Sequence, residues 1–183
     1  MFDKKLLFVA AMGVAFASSA WAAEGKVALL PDENAGATTL TADVDEQAHI
    51  VVPSGVTFHV VDIASNTAAD AATITVDNIV LATATKQLKV SLKADAASFT
   101  PSVASAVTWD ASDVSWNAAS WTGATGATGT LSNSEFGAVA TCTADVATCY
   151  TSALVFTLAD KTTVKRSGNH TLALTWKVES IGS

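Results

Sequence analysis

From Gly25 onward apolar residues alternate with polar ones, and the interruptions are rich in Gly, Asn, Asp, Ser and Thr. A period of two puts successive side chains on opposite faces, so this rhythm predicts short antiparallel strands with one face in a core and one in water. The pattern is clearest at residues 171–179, TLALTWKVE, where Leu172, Leu174, Trp176 and Val178 share a face and Thr171, Ala173, Thr175, Lys177 and Glu179 take the other. Leu154, Phe156 and Leu158 repeat it, as do Leu88, Val90 and Leu92 between Lys89, Ser91 and Lys93. Further strands are expected over 38–44, 49–52, 56–63, 73–81, 103–109, 114–118 and 136–142. Around Asp77-Asn78 the alternation changes phase, from Ile74 and Val76 to Ile79 and Leu81, which predicts a bulge or a bend. No helical stripe competes with these strands. About ten strands with no crossover helix predict an all-β fold of two packed antiparallel sheets, an immunoglobulin-like β-sandwich. The competing plan for an exported β protein, a transmembrane barrel, needs strands of roughly ten residues and an aromatic girdle.

Ahead of that rhythm the chain reads differently. Lys4 and Lys5 precede an apolar run over 6–17, and Ala20-Trp21-Ala22 offers small residues flanking a cut. These are the parts of a secretory signal cleaved between Ala22 and Ala23, and the apolar run is too short to span a bilayer comfortably. The chain therefore divides into a signal peptide, 1–22, and a single secreted domain, 23–183, bound for the periplasm or the extracellular space with no stable membrane insertion after cleavage. Of the 17 acidic and 10 basic residues in the whole chain, only Asp3, Lys4 and Lys5 leave with the signal. The mature domain is thus strongly acidic, which argues against nucleic acid or anionic lipid as a partner.

An oxidising compartment favours pairing of the two cysteines, Cys142 and Cys149. The rival is a redox or metal pair, chemistry that prefers two intervening residues where this chain has six. A disulfide closing so short a loop is expected to act as a local staple.

Candidate chemistry is sparse. His49, His59 and His170 fall on different expected strands, and no spacing makes a metal set of them, although His49 and His59 could meet across neighbouring strands. Two acidic clusters, Asp43, Asp45 and Glu46, and Asp110 with Asp113, are read as turn residues, with calcium as the rival reading. Serines are plentiful, yet no Gly-x-Ser-x-Gly elbow is present. No cofactor and no catalytic residue is expected. The segment GATGATG, 123–129, lacks the Lys-Ser or Lys-Thr of a phosphate loop and reads as a flexible connector. Trp109, Trp116 and Trp176 share parity with aliphatic neighbours and should fill the core, whereas Trp121, beside the glycine-rich segment, is expected to be exposed as a candidate ligand platform. Asn169-His170-Thr171 matches an N-glycosylation triplet, a pattern common by chance.

The closing segment RSGNHTLALTWKVESI, 166–181, resembles the last strand of secreted bacterial immunoglobulin-like surface proteins, including the Trp-x-Leu cell-wall-binding class. Trp176 and Val178 stand at its aromatic and aliphatic positions, with valine in place of leucine and no matching upstream Trp-x-Leu. The resemblance implies a secreted surface or fibre protein. Together with the export signal it leads to the expectation of a non-enzymatic structural protein that associates with copies of itself through sheet edges. The apolar run KVALL ahead of Pro31, within residues 23–30, is the candidate donated strand. The alternative expectation is a module that binds a carbohydrate or another cell-surface ligand through Trp121.

Overall fold

The computed structural model describes residues 39–182. The expected signal peptide, its expected cleavage site at Ala22 and Ala23, and the run KVALL lie outside the described residues. A compact unit spans Asp43–Ser183, and residues 39–42 belong to a separate unit, Met1–Ala42.

The compact unit is all-β. In chain order its strands are β1 (Gln47–Val51), β2 (Thr67–Ala68), β3 (Ala72–Val80), β4 (Gln87–Ala94), β5 (Thr100–Pro101), β6 (Val114–Trp116), β7 (Ala124–Gly126), β8 (Gly129–Thr130), β9 (Gly137–Cys142), β10 (Cys149–Leu154), β11 (Phe156–Leu158), β12 (His170–Thr171) and β13 (Leu174–Ile181). The described residues contain no α-helix, only a short 3₁₀ turn at Ala111–Asp113. Every pairing is antiparallel. The orders are β1-β3-β10, β2-β11-β6-β8, β13-β4-β9-β7 and the small pair β12-β5. Only Val155 separates β10 from β11, and both pair with the segment holding β2 and β3, so the first two sheets run on from one another.

Alternation becomes burial where a strand has neighbours to pack against. Ile74 and Val76 of β3, Val90 and Leu92 of β4, Val139 of β9, and Leu154 and Phe156 around Val155 are each at most 1% exposed. The main core unites residues from the different sheets, Leu92 with Phe156 and Val139 with Trp116. Trp116 crosses between them: its indole lies so close to Gly129 of β8 and Gly137 of β9 that a Cβ at either glycine would collide with the ring. The phase change at Asp77-Asn78 is a bulge. His49 pairs with Asp77 and Gln47 with Val80, giving β3 one extra residue, and Asn78 takes the left-handed backbone, φ 52°, that such an insertion requires.

Several expected strands are not strands. Residues 39–44 form none, and Leu40 and Val44 are 91% and 67% exposed, so their alternation is not matched by burial. Within 103–109 the chain turns, Ala106 N–H donating to the Val103 carbonyl and Ser105 adopting φ 60°, so Val107 stays outside while Trp109 is buried. Residues 56–63 keep their alternation but join no ladder. The segment GATGATG is not a loose connector. It contributes β7 and β8, its small residues lying flush where Trp121 and Trp116 rest on Gly126 and Gly129.

Cys142 and Cys149 form a disulfide with Cα atoms 5.9 Å apart, both side chains buried. Its ends lie on β9 and β10, strands of different sheets, so the bond ties two sheets together as well as closing a loop.

Candidate functional site

A groove of about 1230 Å³ opens in the compact unit. One rim is extended chain. After β1 the sequence Val52-Pro53-Ser54-Gly55 leaves the sheet, as expected where proline removes a donor. Val56, Phe58 and Val60 then face the core, half-buried, while Thr57, His59 and Val61 face out. No backbone hydrogen bond joins residues 53–61 to another described residue, so this rim has the side-chain pattern of a strand and none of its pairing.

The opposite rim is residues 164–174, running into β13, which among the described residues pairs with β4 alone. Leu172, Leu174 and Trp176 face inward, half-buried. The rims are joined at their base: Lys161 N–H donates to the Ile63 carbonyl (2.8 Å), and the buried Val164 donates to the Lys161 carbonyl (3.1 Å). At Asp62 the first rim turns, its carboxylate accepting from Ala64 N–H and Ser65 Oγ, both at 2.9 Å. These donors hold the Asp62 carboxyl below its ordinary range, the Ala64 amide contributing most. Phe99, Trp109, Val114, Leu131, Phe156 and Leu158 form an apolar floor. Trp109 is fixed by donation from Nε1 to the Ala159 carbonyl (2.9 Å) and by the edge of His170, 5.3 Å away, whose Nδ1 shares a hydrogen bond with Thr108 Oγ1 (2.7 Å).

Charge distinguishes the second rim. Lys86, Lys89, Lys161 and Lys177 of the compact unit are all in ion pairs, and Lys93 stands over the Phe136 ring. Lys165 and Arg166, exposed on the rim, have no acidic partner among the described residues.

The residues singled out for chemistry do not assemble into a site. His49 is bonded to Asp77 (2.9 Å), while His59 points outward on the groove rim. Among the described residues no group of three or more His, Cys, Asp or Glu side chains could hold a metal. Glu46 accepts from Ala82 N–H (2.7 Å) and Lys86 Nζ (2.8 Å). Asp110 and Asp113 both receive Lys161 Nζ, at 2.7 and 2.8 Å, so a lysine stands where a cation would be sought. Trp121, expected to be exposed, is half-buried against both core clusters; its Nε1 is buried without a partner among the described residues.

No protein-family model, curated protein or solved structure matches this chain. What the groove can do therefore rests on its own geometry. An apolar floor between two backbone edges that pair with nothing further among the described residues, with Lys165 and Arg166 alongside, suits an extended apolar segment bearing acidic flanks.

The Asp110–Lys161–Asp113 cluster predicts a pH effect. Lys161 and then Ser98 hold the Asp110 carboxyl below its usual range. Burial pulls the Lys161 ammonium down, but the hydrogen bonds it donates to Asp110 and Asp113 outweigh it, leaving its pKa raised. A depressed carboxyl stabilises the fold above its unfolded value, about pH 4, and that contribution is lost as pH falls through the lower native value. A raised lysine stabilises below its unfolded value, about pH 10.4, and loses that contribution as pH climbs through the higher native value. Lys161→Met is expected to lower Tm near neutrality and to shrink both the acid and the alkaline fall. Thermal melts across pH check this, and unchanged limbs in the variant would contradict it.

Proposed function

We propose that this chain is an exported, non-enzymatic structural protein of a cell surface or fibre, an immunoglobulin-like β-sandwich that assembles with copies of itself. One observation carries the reading: an apolar groove whose two rims, residues 53–61 and the outer edge of β13, pair with no further strand among the described residues, a surface that monomeric β proteins ordinarily cover or blunt. Export is supported by the signal pattern of residues 1–22 and by the buried Cys142–Cys149 disulfide, which belongs to an oxidising compartment. No helix among the described residues is long and apolar enough to cross a membrane. The likeness of residues 166–181 to the last strand of secreted surface proteins falls on β12 and β13, one of the groove's own margins. The half-burial of Trp121 weakens the carbohydrate-platform reading, which requires an open indole face.

The test is expression of the whole precursor, recovery of the extracytoplasmic fraction and light scattering of the purified product. The expected result is a chain beginning at Ala23 whose mass rises with concentration to multiples of the monomer. A chain found intact in the cytosol, or one monomeric at every concentration, would overturn the reading.

A further inference from the structure

We draw no further inference here: the strongest candidate, the apolar groove of the compact unit between residues 53–61 and 164–174, is a face for which nothing in the structure shows what covers it.

Discussion

Trp116→Ala is expected to cost about 3–5 kcal/mol of unfolding free energy. The indole is only 3% exposed, and it bridges sheets from β6 to the backbone of β9. What faces it is glycine, at 129 and 137, so no neighbouring side chain there can swing in to fill the space left behind. Part of the loss is offset, because Nε1 of Trp116 is buried with no partner among the described residues and the alanine variant no longer buries it. Trp116→Phe, which also removes that N–H but keeps most of the ring, is accordingly expected to cost less. The reciprocal change, Gly137→Val, puts branched carbon where the indole already sits and is expected to cost about 1–3 kcal/mol through overpacking. Urea midpoints at constant slope measure all three. A Trp116→Ala cost below about 1 kcal/mol, within the range of ordinary surface substitutions, would show that the indole is not the link between sheets.

Removing the disulfide, as Cys142→Ala/Cys149→Ala, is expected to cost roughly 2.5 kcal/mol, the chain-entropy value for a loop of about eight residues. For a domain of this size that corresponds to a fall in Tm of roughly 5–10 °C. Both sulfurs are buried and join β9 to β10, so the bond holds two sheets in register near Thr122 and Tyr150, which form an isolated bridge alongside. Melting curves with and without reductant check the assignment. The wild type should fall toward the double variant on reduction, and the double variant should not respond. Equal Tm for oxidised and reduced wild type would mean that packing alone secures this edge.

How much of this was legible in the residues differs between elements. β3, β4, β9, β10, β11 and β13 lie within or beside the stretches that alternation marks out, and the bulge at Asn78 sits where the phase of the pattern changes. These strands read clearly because their inward residues face a core, so that burial and pattern coincide. The stretch 103–109 misleads because its valines alternate while the chain turns and leaves them exposed, and 56–63 misleads in the opposite sense, showing a strand's side-chain pattern with no backbone ladder among the described residues. GATGATG reads as a linker because glycine signals freedom in isolation. Only the tryptophans at 116 and 121, packed against it, reveal that the glycines are there for closeness. The groove has no motif of its own. Phe58, Phe99, Trp109 and Leu172 come from four separate segments, and the nearest signal is the uninterrupted alternation of 56–61 after Pro53.

The chain's own order of residues determines that the protein is built of antiparallel strands and that its cysteines have each other as partners, because periodicity, composition and short spacings are local properties. Which strands share a sheet, that Cys142–Cys149 spans two of them, that Lys161 serves both Asp110 and Asp113, and that residues 53–61 and 164–174 line one groove over an apolar floor were decided only in three dimensions. Each of those depends on contacts between residues far apart in the chain, and a period of two says which way a side chain points without saying what it will meet.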